Sequence, residues 1–232
     1  MQLPELTSAT LLRRYHRFLA DCRLEDGRVV TVHCPNSGSM RSCATPGQPV
    51  LLSHQASARR KYPWTWELYW SGASWVCINT QRPNAIVAEA IGNGRVPELE
   101  GYPQLRREVP YGDRARIDIL LMGGDKAPAF VEVKSCTMLD PDGIVRFPDA
   151  VSLRARRHLE ELEKVVATGA RGVLFFLMGR EDGQGFAPAA SIDPHYAEAL
   201  RAARRKGVEI LAYRSEVSPD RIILDAAETL LL

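Results

Sequence analysis

The sequence predicts two folds in tandem, a small all-β barrel followed by a mixed α/β sheet. Three observations carry this reading. Short apolar runs with period-two alternation fill the first third of the chain. From Pro83 onward, strand-like and helix-like runs alternate. Two of the later strand-like runs hold charged residues, Asp118 in one and Glu132 and Lys134 in the other.

Taken in order, Leu11 to Leu24 alternates throughout and fits one long curved strand. Glu25-Asp26-Gly27 then turns the chain into a return strand from Arg28 to His33. Pro35-Asn36-Ser37-Gly38-Ser39-Met40 reads as a loop. A strand from Val50 to Ser53 follows, and Trp64 to Trp70 with Trp75 to Thr80 form a hairpin across Ser71-Gly72-Ala73-Ser74. These five strands, with no helix among them, fit the oligonucleotide-binding (OB) barrel. The boundary is expected near Thr80, giving a barrel over 1–81 and a second domain over 82–232.

In the second part, Pro83 to Ile91 is a short helix with proline near its start. Leu105 to Tyr111, Arg116 to Leu121 and Ala129 to Cys136 are consecutive strands. Asp149 to Ala167 is an amphipathic helix stopped at Gly169. Val173 to Met178 is a buried strand parallel to a neighbour. Pro194 to Lys206 is a helix, Val208 to Tyr213 a strand, and Ile222 to Leu224 an edge strand.

Composition narrows the function classes. Of 232 residues, 45% are hydrophobic and 25% charged, as in ordinary globular proteins. The start, Met1-Gln2-Leu3-Pro4-Glu5-Leu6, lacks the features of a signal peptide, and no apolar run would span a bilayer, so a cytoplasmic protein without a membrane partner is expected. The five cysteines contain no Cys-x-x-Cys pair, and buried reduced thiols are the expectation. His33, Cys34 and Cys43 match no common zinc spacing. A net charge of +2 neither demands nor excludes nucleic acid. Two local clusters say more. Arg13-Arg14-Tyr15-His16-Arg17-Phe18 and Arg59-Arg60-Lys61-Tyr62-Pro63-Trp64 interleave basic and aromatic residues. Arg13, Arg14, Arg17, Arg59, Arg60, Lys61, Tyr62 and Trp64 are therefore the candidate DNA-binding residues, through phosphate contacts and base stacking. The competing reading is a solvated strand face with aromatic cross-strand partners.

The chemistry is expected at Asp118, Glu132 and Lys134. Side chains two apart on a strand share a face, so Glu132 and Lys134 point the same way. Burying two carboxylates and an ammonium is costly unless they serve a purpose. A divalent cation held by Asp118 and Glu132, with Lys134 beside the attacking water, is one purpose. A Lys paired to one of two edge-strand carboxylates is the other reading. Glu-x-Lys is a common pattern, and its strand setting with a helix behind it is what raises it.

A helix carboxylate at Glu89, a strand Asp118 and a strand Glu132-Val133-Lys134 together resemble the PD-(D/E)XK nuclease-like (restriction-endonuclease-like) fold over Pro83 to Tyr213, with Ile117 in place of the proline. The whole chain resembles something narrower. His33-Cys34-Pro35-Asn36-Ser37-Gly38-Ser39-Met40, Lys61-Tyr62-Pro63-Trp64-Thr65-Trp66-Glu67-Leu68, Arg116-Ile117-Asp118, Val131-Glu132-Val133-Lys134-Ser135 and Phe147-Pro148-Asp149-Ala150 are similar to the sugar fermentation stimulation protein family. That resemblance implies an OB barrel, a nuclease-like domain, DNA binding and a part in regulating maltose metabolism. Carried over by position, it implies Asp118 and Glu132 as ligands of Mg²⁺ or Mn²⁺, Lys134 as the water-positioning base, Glu89 as a further catalytic carboxylate, and a polar or basic group at His158 near the site. Two functions stay open: a metal-dependent DNA phosphodiesterase, and a DNA-binding regulator without catalysis. The form of the DNA, single- or double-stranded, and the oligomeric state are not readable from the sequence.

Overall fold

The computed structural model describes residues 1–56, 60–111 and 115–232. The first half is built from β1 (Leu6–Tyr15), β2 (Leu19–Leu24), β3 (Val29–His33), β4 (Pro49–His54), β5 (Trp64–Trp70) and β6 (Trp75–Cys77). They follow the order β3-β2-β1-β4-β5-β6, and a parallel bridge from His33 to Thr65 closes the sheet on itself. The closed barrel is filled by Leu11, Val32, Leu52, Trp66 and Ile78, all fully buried.

One expectation fails here. The stretch from Leu11 to Leu24 is two strands, and the chain reverses at His16 and Arg17, with φ +48° and +63°. Tyr15 pairs with Leu19 across the turn, and the buried apolar positions change from Ala9 and Leu11 on β1 to Ala20, Cys22 and Leu24 on β2, the register shifting between Leu11 and Arg13. Neither central residue is Gly, Asn or Asp, the usual markers of such a turn.

The second half opens with α1 (Pro83–Gly92) and a 3₁₀ turn, followed by β7 (Gln104–Tyr111), β8 (Ala115–Met122), β9 (Ala129–Cys136), β10 (Met138–Leu139) and β11 (Val145–Phe147). Then come α2 (Leu153–Ala167), β12 (Arg171–Met178), β13 (Phe186–Pro188), α3 (Pro194–Arg205), β14 (Glu209–Val217) and β15 (Ile222–Ala227). The main sheet runs β15-β14-β12-β9-β8-β7, with β12 parallel to both β9 and β14. On one face Ile86, Val87 and Ile91 of α1 pack with Val131, Val133 and Phe175. On the other, Ala155, Leu159 and Leu162 of α2 and Leu200 and Ala203 of α3 cover Leu174 and Phe176. β10, β11 and β13 make a separate small sheet that the sequence reading lacks, since strands of two or three residues have no readable period. The helix expected from Asp149 begins only at Leu153. Ser152 caps it through Oγ, which accepts from the Ala155 amide, while Asp149 is turned to the barrel.

Two polar joints bind the halves. Glu67 on β5 is buried and accepts both Nε and Nη2 of Arg82, at 3.0 and 2.8 Å, together with Asn79 and Ser53. Burial pushes its carboxyl up, but Arg82 and Asn79 outweigh that and hold it below the ordinary carboxylate value. At the second joint, Asp149 accepts the Met40 amide at 3.1 Å. Gly38 lies so close that a Cβ there would fall 2.2 Å from an Asp149 oxygen, so a side chain at 38 would displace the Asp149 carboxylate from this joint. Among the described residues no helix is long and apolar enough to cross a membrane.

Candidate active site

Asp118 sits on β8 where that strand parts from β9. The ladder between them ends at Ile119–Val131, and beyond it the Asp118 side chain serves as partner to the strand backbone: Oδ2 accepts the Val133 amide at 2.7 Å. Its Oδ1 accepts Asn84 Nδ2, also at 2.7 Å, from the first turn of α1, and the same Asn84 amide reaches Glu108 at 3.0 Å. Glu108 has φ +54°, which interrupts β7 opposite Asp118.

Glu132 and Lys134 lie on the face of β9 that α2 covers. Lys134 Nζ donates to Glu132 Oε1 at 2.7 Å and lies 3.1 Å from His158 Nδ1 of α2. His158 Nδ1 also faces Glu132 Oε1. On the other side of the ring, Arg154 Nε reaches His158 Nε2 at 3.3 Å. Oε1 is thus shared by Lys134 and His158. Glu132 Oε2 is buried and has no hydrogen-bond partner.

The electrostatics show that the two carboxylates sense each other. Burial, and then the negative charge of Glu132, raise Asp118 from 3.8 to about 6, against the opposing pull of the Val133 amide, Lys134 and Asn84. Burial also pushes Glu132 up, but His158 and Lys134 overcome it and hold this carboxyl below its ordinary value. Glu132 therefore stays ionised and Asp118 carries the strain of a second negative charge. Among the described residues no three His, Cys, Asp or Glu side chains converge as a metal cluster. The site offers Asp118 and Glu132, with Glu108 one shared amide away through Asn84, and so sparse an acidic set suits a hard cation that keeps several waters.

The structure sorts the other expected residues. It brings Asp118, Glu132, Lys134 and His158 together and does not bring Glu89. That side chain lies away from the site, on the exposed flank of α1, paired at 2.7 Å with the Met1 amine. Five residues along a helix turn the side chain well away from the face of Asn84, so α1 reaches the site through an amide rather than a carboxylate. Asn84 carries no sequence signal beyond its place in the first turn. Of the candidate DNA-binding residues, Arg14 is spent on structure: its Nη2 donates to the carbonyls of Arg17, Asn36 and Gly38 and shapes the loop at the joint. Arg13 pairs with Asp21 at 2.8 Å and lies over Tyr15, yet its side chain stays largely exposed. Arg17 is exposed and lines the cleft above Lys134. Arg60 donates to Gln55 and Thr65, Lys61 lies over the Tyr62 ring, and Trp64 packs on His54 at 4.5 Å. Arg59 lies outside the described residues. All five cysteines are buried and free.

A closed OB barrel joined to a restriction-endonuclease-like sheet, with an Asp and a Glu-x-Lys at its splayed strands, defines a class of nuclease-like two-domain proteins. Residues 12–78 match the family described as the SfsA N-terminal OB domain, and residues 81–221 the sugar fermentation stimulation protein RE domain. The chain belongs to the sugar fermentation stimulation protein family. It is 66% identical over its full length to a homologue from Acidithiobacillus ferrooxidans that it also covers fully. It is 54% identical, over 97% of this chain and 96% of the relative, to one from Pelobacter propionicus. The structure of Pyrococcus furiosus SfsA in complex with Ca²⁺ superposes with a TM-score of 0.89 at 27% identity, covering 100% of this chain and 98% of that one.

Proposed function

We propose that this protein is a divalent-metal-dependent phosphodiesterase acting on DNA, with Mg²⁺ or Mn²⁺ held by Asp118 and Glu132. One observation carries the reading: Glu132 Oε2 is buried and unpartnered in a site where the neighbouring Asp118 is already pushed up to about 6. A buried ionised oxygen without a donor is costly, and a cation between the two carboxylates would satisfy it and relieve their repulsion. That the Pyrococcus furiosus relative is in complex with Ca²⁺, another hard cation of oxygen ligands, supports the same choice.

The bound cation would lower the pKa of a water and neutralise charge on the phosphodiester. The chain's residues divide the remaining work. The Val133 amide and Asn84 fix both Asp118 oxygens in place. His158 and Lys134 hold Glu132 Oε1, leaving Oε2 as the ligand atom. The Lys134 ammonium, in the cleft, is placed to orient the attacking water or a phosphate oxygen. Arg13, Arg17, Arg60, Lys61, Tyr62 and Trp64 would contribute salt-dependent contacts to DNA.

The test is incubation of purified protein with single- and double-stranded DNA, with and without Mg²⁺ or Mn²⁺, beside Glu132→Gln. Metal-dependent cleavage that the variant loses supports the reading. Absence of cleavage on every DNA form leaves a DNA-binding regulator. Cleavage undiminished in the variant marks a contaminating nuclease.

A further inference from the structure

The cleft above Lys134 has a rim of unusual composition. Among the described residues five large apolar side chains are exposed; one of them, Val151 (67%), lines the cleft, and two more, Phe18 (47%) and Leu153 (62%), are chain neighbours of residues that line it. Phe18 follows Arg17, and Leu153 precedes Arg154, and both arginines line the cleft, one from the barrel and one from the sheet domain. Each wall therefore presents a guanidinium beside an exposed apolar group. On the barrel wall the presentation is held under strain: His16 and Arg17 both adopt left-handed backbone, a conformation side-chain-bearing residues avoid. Arg14 pins the turn from beneath through the Arg17 carbonyl, and Arg17 itself donates to the Ser37 carbonyl. The shape matters as much as the chemistry. The walls meet at Gly38 and Asp149, so the cleft is a notch closed at one side, of about 360 Å³, the size of a site for one small-molecule-sized group.

We propose that the notch admits a single unpaired nucleic-acid strand and rejects an intact duplex. Arg17 and Arg154 hold phosphates on either side of the scissile position, and Phe18 with Val151 packs against the unstacked bases. This deepens the phosphodiesterase reading by naming its substrate class. The reasons are that Lys134 is recessed, its side chain only 12% exposed, in a notch closed at one side, where an extruded strand reaches it more readily than a paired one, and that exposed apolar groups gain from bases only when those bases are unstacked. A basic groove with an aromatic side chain on which a base can stack, here Arg17 and Arg154 with Phe18, is a means of holding a single strand without reading its sequence.

The test separates binding from chemistry. Glu132→Gln protein, with metal chelated, is titrated into a fluorescein-labelled single-stranded oligonucleotide, its blunt duplex, and the duplex carrying a single-stranded overhang, with anisotropy as the readout. The single strand and overhang should bind more tightly than the blunt duplex. Phe18→Ala in that background should weaken single-strand binding by roughly tenfold and leave blunt-duplex binding unchanged. Arg17→Ala with Arg154→Ala should lower the slope of log affinity against log salt by roughly 1.4 for the single strand. These positions are exposed or at the rim, and an unchanged melting temperature would confirm folding. Equal binding of single strand and blunt duplex, with Phe18→Ala neutral on both, overturns the proposal. Wild-type protein that binds single strands preferentially but never cuts keeps this inference and loses the phosphodiesterase reading. Wild-type protein that cuts blunt duplex as fast as single strand does the reverse.

Discussion

Glu67 and Glu132 are both buried glutamates on central strands, exposed by only 2% and 3%, and both are held ionised by neighbouring cations. They differ in one respect. Both oxygens of Glu67 are saturated, by Ser53, Asn79 and the two-pronged Arg82. Glu132 has Lys134 and His158 crowded on one oxygen and nothing on the other. Burial and charge alone do not distinguish a structural carboxylate from one kept for chemistry. The accounting of donors does, because a fold that only needed stability would have satisfied both oxygens.

The sharpest way to break the comparison is to neutralise each in turn. Glu132→Gln should reduce metal-dependent cleavage by several orders of magnitude while DNA binding in chelator is unchanged or slightly tighter, read from cleavage gels and anisotropy. A variant that still cuts would place Glu132 with Glu67 as a structural group.

Glu67→Ala should instead lose stability, about 3 kcal/mol by urea unfolding, because Arg82 is left half-buried without its partner. A loss under about 1 kcal/mol would mean that the joint between barrel and sheet does not depend on this pair.

Asp118 adds a dependence on pH. Its carboxyl binds a proton more tightly folded than unfolded, so without metal its contribution to stability is greatest in acid and is lost as pH rises from about 4 to about 6. Asp118→Asn removes that loss. Measured in chelator, the variant should gain on wild type across this window, by on the order of 2 kcal/mol at neutral pH. Mg²⁺ should stabilise wild type and leave the variant unmoved. A flat difference across pH would show that the two carboxylates do not repel.

The smallest effect is expected at Glu89. Glu89→Ala breaks an exposed pair with the Met1 amine and should change stability by less than about 0.5 kcal/mol, with metal-dependent cleavage untouched. A large loss of cleavage would restore it to the site.

How much of this was legible in the sequence varies by element. The strand from Ala129 to Cys136 has the expected bounds, the strands expected from Arg116 and Val173 extend by one or two residues, and the helix ending at Ala167 shows its apolar period but starts at Leu153. The reversal at His16 and Arg17 was not legible, because left-handed backbone on His and Arg follows from what holds it, including Arg14, and not from local preference. Asp118, Glu132 and Lys134 were readable as charged residues in apolar runs. Asn84 was not, since an amide in the first turn of a helix is ordinary until β8 is brought beneath it.

The sequence by itself determined the order of the longer elements from Pro83 onward, the barrel-then-sheet architecture and the strands that bear the charged groups, since these follow from periods of two and of 3.6 along a single segment. Only the tertiary structure decided which oxygen of Glu132 is left without a donor, that α1 reaches Asp118 through Asn84 rather than Glu89, and that the barrel turn faces the segment before α2 across a narrow notch. Those are facts about groups far apart in the chain. Their distances are set by how a sheet, its covering helices and a barrel pack as solids, and no local periodicity encodes that packing.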